Sequence, residues 1–207
     1  MLTLVFKIYI IFIIKFYLSK QGGFIMQFKI SLAGDLGSGK STVAKILSER
    51  FGAKIVSAGN IYREIATSLN MTVEEFNINN ESDKKYDTLV DDMLKSYDEK
   101  QGDFIFDSRL AFHFVPSAIS FYLKVDRQIA AQRVFCACRK DEHFSCVEEA
   151  DKSLTSRRAS ERRRYLDYYG VDIMDMANYD FVIDTSCACP EDIADVIAGF
   201  VEQKIGQ

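Results

Sequence analysis

Excess positive charge is missing from this chain: 26 Lys and Arg stand against 30 Asp and Glu, for a formal net charge of −4. That balance argues against coating of nucleic acid or of an anionic membrane, which relies on surplus Lys and Arg. A small anionic ligand is still allowed, because it needs only a local cluster. Cysteine is also scarce. Cys136, Cys138, Cys146, Cys187 and Cys189 are odd in number and confined to the C-terminal half. This excludes the dense disulfide framework of a small secreted domain and points to a reducing cytosol. Internal repeats and low-complexity linkers are absent. What is present, 207 residues of which 48% are hydrophobic and 27% charged, fits one globular domain with at most a mobile subdomain.

Residues 2–18 (LTLVFKIYIIFIIKFYL) are strongly apolar. A membrane-spanning helix needs about 20 apolar residues, and this stretch is shorter and carries Lys7 and Lys15. Ser19-Lys20-Gln21 lacks the small residues of a signal-peptide cleavage site. In a bacterial gene, Gln21-Gly22-Gly23 can be encoded by a purine-rich ribosome-binding sequence just upstream of Met26. Residues 1–25 are therefore read as an extension ahead of the true start, with a domain over residues 26–207; a membrane-tethered module is the rival reading.

From Met26 onward, strand and helix signals alternate. Strands are expected at 27–33, 54–57, 104–106, 119–125 and 181–183. Helices are expected at 41–51, 60–69, 72–80, 82–100, 127–140, 145–169 and from Pro190 onward. Such alternation implies an α/β fold, a parallel sheet of about five strands covered on both faces by helices.

Gly34-Asp35-Leu36-Gly37-Ser38-Gly39-Lys40-Ser41 fits G-x-x-x-x-G-K-[ST] between an expected strand and an expected helix, the context that gives a P-loop its meaning. Gly34, Gly37 and Gly39 allow successive N–H groups to face phosphates, and the following helix aims its positive end at the same anion. Lys40 suits the β- and γ-phosphates of ATP, and the Ser41 hydroxyl suits Mg2+. Thr42 completes the phosphate contacts. The chain has no N-K-x-D guanine motif and no L-S-G-G transporter signature, which leaves a compact small-molecule kinase among the P-loop classes.

Five pieces in order resemble the archaeal-type cytidylate kinases and their bacterial cytidylate-kinase-like relatives. They are the P-loop GDLGSGKST, IVSAGNIYRE at 55–64, MTVEEFN at 71–77, the run from Arg157 through Tyr165 to Ile173, and YDFVIDTS at 179–186. The resemblance covers nearly everything from Met26 on. It implies a nucleoside-monophosphate-kinase-like sheet with a helical lid around 133–165, and phosphorylation of CMP or dCMP by ATP with Mg2+.

Residue by residue, the resemblance implies that Ser57, Gly59 and Arg63 form the monophosphate-binding edge, where an Arg can grip phosphate in two places. Asn60 stands where relatives carry Asp. Asp107-Ser108-Arg109 stands where they commonly read Glu-Gly-Arg, so Arg109 would contact the acceptor and Asp107 would act on metal-bound water or on substrate. Of the lid arginines, Arg157 is the expected clamp on the transferring phosphoryl group, while Arg158, which replaces an acid, Arg162, Arg163 and Arg164 carry less. Arg133 and Arg139 would frame the lid. Helical spacing puts Arg157, Glu161 and Arg164 on one face. Cys136, Cys138, His143 and Cys146 have the ligand types for zinc, but C-x-C-x4-H-x2-C is not a familiar structural spacing.

The expected protein is thus a monomeric cytosolic enzyme with ATP and a small-molecule nucleotide as ligands and no nucleic-acid partner. Its rivals are a kinase of another small molecule and a nucleotide-binding regulator without turnover. The start-site reading predicts that intact-mass measurement of the native protein gives a chain beginning at Met26; a mass that includes upstream residues would contradict it.

Overall fold

The computed structural model describes residues 27–71, 85–137 and 144–205. The expected helix at 72–80 and the extension at 1–25 lie outside these residues. In chain order the elements are β1 (Lys29–Gly34), α1 (Lys40–Phe51), β2 (Lys54–Ser57), α2 (Ala58–Ser68), α3 (Lys85–Glu99), β3 (Phe104–Asp107), α4 (Ala111–Phe114), β4 (Ile119–Lys124), α5 (Arg127–Cys136), α6 (Val147–Tyr169), β5 (Phe181–Asp184) and α7 (Pro190–Ile205). A single 3₁₀ turn, Met176–Asn178, precedes β5.

The five strands form one parallel sheet in the order β2-β3-β1-β4-β5. Strand alternation sends successive side chains to opposite faces. Ile30 and Leu32 of β1, with Phe121 and Leu123 of β4, therefore meet Val43, Ala44 and Leu47 of α1 and Ile193, Ile197 and Val201 of α7 in one core. Val56, Phe104 and Phe106 join Ile61 and Ile65 of α2, Val90 and Leu94 of α3, and Phe114 of α4 in a second. Ile30, Leu32, Leu47, Phe121 and Ile197 are fully buried, each worth about 1.5–3 kcal/mol relative to exposure.

The chain reverses its winding direction at β1: β3 lies on one side and β4 on the other. In open α/β sheets the crevice at such a point, beyond the carboxyl ends of the strands, is where ligands bind. Here the carboxyl end of β1 runs directly into the Gly34–Ser41 loop, and Asp107 closes the carboxyl end of β3.

The long helix α6 differs from the rest. Among its 23 residues Ala150 is the one fully buried, while Tyr165 and Tyr169 near its end pack partly buried against the second core. It is also fastened through charge: Arg127 of α5 to Asp151, Arg158 to Asp35, Arg162 to Asp172, and Glu161 to Arg109. Of the lid expected at 133–165, the described residues are the end of α5 and most of this helix, while 138–143 lie outside them.

Close approach of the β1 terminus to β4 demands glycine at position 34. Its φ is +142°, and a Cβ there would lie 2.3 Å from the Leu123 carbonyl oxygen and 2.7 Å from the Leu123 nitrogen. Gly52, which ends α1 at φ +67°, has open space around it. Gly52→Ala should therefore cost only about 1 kcal/mol, roughly 2–4 °C in the thermal midpoint of a chain this size. Gly34→Ala should cost several times more, and a calorimetric comparison showing equal losses would contradict this packing.

Candidate active site

The loop between β1 and α1 is shaped for a polyphosphate. Gly37 and Gly39 have φ of +80° and +89°, and Gly39 begins α1 with no side-chain cap on the helix's first N–H groups. An uncapped helix start behind such a loop is an anion site through its N–H groups and dipole. The Ser38 hydroxyl is buried with no hydrogen-bond partner among the described residues. Lys40 Nζ donates to the carbonyl oxygens of Gly34 (3.0 Å) and Asp35 (2.7 Å), folding over its own loop.

Burial pushes the Lys40 ammonium down to about 8; Arg109 adds to the effect, and Asp107, Asp35 and Glu161 oppose it. A bound polyphosphate reverses that penalty by placing negative charge beside the lysine.

Ser41 Oγ donates to Asp107 Oδ2 at 2.6 Å. A hydroxyl and a carboxylate side by side offer the oxygen donors that a hard cation such as Mg2+ takes, with water and phosphate oxygens completing its shell. The residues present fit that ion.

Asp35 sits under the loop rather than facing the phosphate side. Its carboxylate is buried, accepting from the Tyr122 hydroxyl (2.7 Å) and the Val125 N–H (3.0 Å), and it pairs with Arg158 at 2.8 Å. Burial and the Asp35 hydrogen bond raise the Tyr122 pKa far above that of a free phenol. Of Asp35, then, the main-chain carbonyl serves Lys40 and the side chain serves the scaffold.

Two cavities flank this centre. The first, about 260 Å³, is lined by Gly37, Ser38, Gly39 and Thr42 of the loop and α1, Arg133 of α5, and Thr185 after β5. Arg133 donates to the Thr185 carbonyl at 2.7 Å, and the Thr185 hydroxyl donates to the Ser38 carbonyl at 3.1 Å. Arg133 thus frames the outer side of the phosphate loop. Leu36 lies on the opposite flank, beside Arg158 and Tyr122.

The second cavity, about 280 Å³, has two unlike ends. Lys40, Asp107, Ser108, Arg109, Arg157 and Glu161 form a charged end. Val90, Leu94, Phe114 and the rings of Tyr165, Tyr168 and Tyr169 form an aromatic end, where Asp91 accepts from the Tyr169 hydroxyl at 2.9 Å. Arg164 also lines this space, with its guanidinium over the Tyr165 ring.

Lys40, Asp107, Arg109 and Arg157 line one cavity, and Ser41 joins them through its hydrogen bond to Asp107. The Ser57, Gly59 and Arg63 edge lies at the start of α2, where Ser57 accepts from the Asn60 N–H and Arg63 donates to Asn60 Oδ1. From this segment Ala58 lines the cavity, and Arg63 is exposed. Arg139, Cys138 and His143 lie outside the described residues; Cys136 and Cys146 are exposed thiols. Sequence reasoning did not single out Glu161, Asp91 or the Asp35–Arg158 pair. The i,i+4 spacing of Arg157 and Glu161 was visible, but the partner across space was not.

Comparison with known proteins finds related sequences and a shared fold. A model of the cytidylate kinase-like family matches residues 29–187. The cytidylate kinase of Sulfolobus acidocaldarius is 38% identical over 179 residues, covering 85% of this chain and 95% of its own. That of Archaeoglobus fulgidus is 33% identical over 177 residues, covering 85% and 96%. Among solved structures, a shikimate kinase from Bacteroides thetaiotaomicron superimposes with a TM-score of 0.59 at 14% identity, over 84% of this chain and 98% of that one; at this identity the likeness concerns the fold.

Because nucleotide binding favours protonated Lys40, ATP affinity should fall as pH rises through about 8, by at most roughly tenfold per unit. Titration of a fluorescent ATP analogue between pH 7 and 9.5 should show this slope in the parent and little binding at any pH in Lys40→Ala. A flat parental profile would contradict the assigned environment of Lys40.

Proposed function

This chain belongs to the cytidylate kinase-like family, and on that footing we propose that it transfers the γ-phosphoryl group of ATP to CMP or dCMP. The observation that carries the reading is the second cavity, which pairs Lys40, Arg109 and Arg157 with the rings of Phe114, Tyr165, Tyr168 and Tyr169.

The first cavity receives the adenosine of ATP, and the loop N–H groups, Lys40 and Thr42 hold its phosphates. Ser41 and Asp107 would hold Mg2+, which when bound neutralises charge on the phosphate oxygens. In the second cavity Arg109 takes the monophosphate of the acceptor, with Ser57, Gly59 and Arg63 guarding the entry edge. An oxygen of that phosphate forms the new bond to the γ-phosphorus while the bond to the β,γ-bridging oxygen breaks and ADP leaves. The acceptor oxygen is already anionic, so no protein base is needed. The work of the chain is alignment and charge stabilisation, with Arg157 on the transferring group.

The base stacks among the tyrosines. Asp91 gives this end an acceptor suited to the exocyclic amine of cytosine, a donor that uracil lacks; carboxylates accept from that amine in other settings. The helix α6, held largely by ion pairs, lifts to admit nucleotides and closes to exclude water. Exposed free thiols and dependence on ATP fit the cytosol. Among the described residues no helix is long and apolar enough to cross a membrane.

An ADP-release assay with ATP, Mg2+ and a panel of nucleoside monophosphates tests the reading. CMP or dCMP should turn over fastest, Lys40→Ala should lose at least about 10³-fold, and Asp91→Asn should narrow the preference for CMP over UMP by about tenfold or more. ATP binding without turnover on any monophosphate would contradict it.

A further inference from the structure

The lid carries an anion at the place where phosphoryl transfer needs cations. Glu161 has only 12% of its side chain exposed, and each of its oxygens meets a different guanidinium: Oε1 takes Arg157 Nε at 3.0 Å, and Oε2 takes Arg109 Nε at 3.0 Å. Arg157 lies one turn away on the same helix, a spacing that produces surface pairs of little consequence. Arg109 belongs to the sheet side, just beyond β3, and is itself only 21% exposed. The carboxylate thus joins the lid's arginine to the sheet's arginine at the charged end of the second cavity, next to Lys40.

We propose that Glu161 is a positioning residue, which holds Arg109 and Arg157 side by side so that both guanidiniums meet the phosphates as one preformed clamp when the lid closes. The inference rests on the kinase reading given above. Lys40, Arg109 and Arg157 line one cavity, and like charges in partly dry surroundings repel. Glu161 places a negative charge between the two guanidiniums and offsets that repulsion in the seated position of the helix. Each guanidinium has five N–H donors on a rigid plane, so contact with Glu161 through Nε is compatible with phosphate contact along the other edge. Preorganisation of this kind acts on the chemical step, because it aligns charge that the transition state needs.

A purely structural role for Glu161 is separable by experiment. Docking of α6 has other fasteners, the Arg158–Asp35, Arg162–Asp172 and Arg127–Asp151 pairs, so removal of one carboxylate should leave the helix seated. The test uses the full chain with ATP, Mg2+ and CMP, and compares the parent with Glu161→Gln, Glu161→Asp, Arg157→Ala and the Arg157→Ala/Glu161→Gln double variant.

Glu161→Gln should lower kcat by on the order of 10–100-fold, part of what a transition-state arginine contributes, while KM for both nucleotides changes less than about threefold and the thermal midpoint moves by less than about 3 °C. Glu161→Asp should recover part of the loss. The double variant should be little slower than Arg157→Ala alone, since residues acting as a unit are non-additive. Undiminished kcat in Glu161→Gln, losses that multiply in the double variant, or a loss that tracks a lowered thermal midpoint would each overturn the inference while leaving the kinase reading intact. A parent that turns over no monophosphate would overturn both.

Discussion

A buried carboxylate, that of Asp35, ties the phosphate loop, the central sheet and α6 together. It sits beneath the phosphate loop, takes hydrogen bonds from Tyr122 of β4 and from the main chain of Val125, and pairs with Arg158 of the lid helix. A buried charge is costly unless it is paired and hydrogen-bonded, so the loop, the central strands and the lid must meet at this point. The opening of the loop toward phosphate follows: with the Asp35 side chain turned downward, its carbonyl and that of Gly34 turn toward Lys40.

Above this anchor the site gathers cations at the switch point of the sheet. Lys40 comes from α1, Arg109 from the turn after β3 and Arg157 from α6, three elements that meet only because β1 lies between β3 and β4. Asp107 and Glu161 are set among them, one paired with Ser41 and the other with the two arginines. The pairs that hold α6 range from largely exposed, at Arg127–Asp151 and Arg162–Asp172, to largely buried at Asp35 and Glu161, and Tyr165 and Tyr169 pack against the second core. Only the exposed pairs fall in the range of about 0–1 kcal/mol each.

Much of the fold was legible in the sequence. The β1, loop and α1 unit carried its own punctuation, with alternating apolar residues, three glycines and then helical spacing up to Gly52. The other strands and the long helix at 145–169 were read within a few residues of their bounds. The short helix α4 was not expected: Leu110, Ala111, Phe114 and Val115 make too brief a run before Pro116 to show a period, and burial in the second core fixes their conformation. In the site, the P-loop residues could be assigned because their chemistry is local. The Glu161 to Arg109 contact, the Asp91 end of the cavity and the inward turn of Asp35 depend on which elements become neighbours, which spacing along one helix does not report. Arg158, read as a minor member of the arginine cluster, proves to hold the lid to the loop.

The central claim is that two nucleotides occupy the two cavities at once, with their phosphates meeting over Lys40. Calorimetric titration with adenosine and cytidine joined through a polyphosphate chain tests it most directly. The account predicts binding far tighter than ATP or CMP alone, at one site per chain, and its loss in Lys40→Ala. Affinity no greater than that of ATP alone would contradict it.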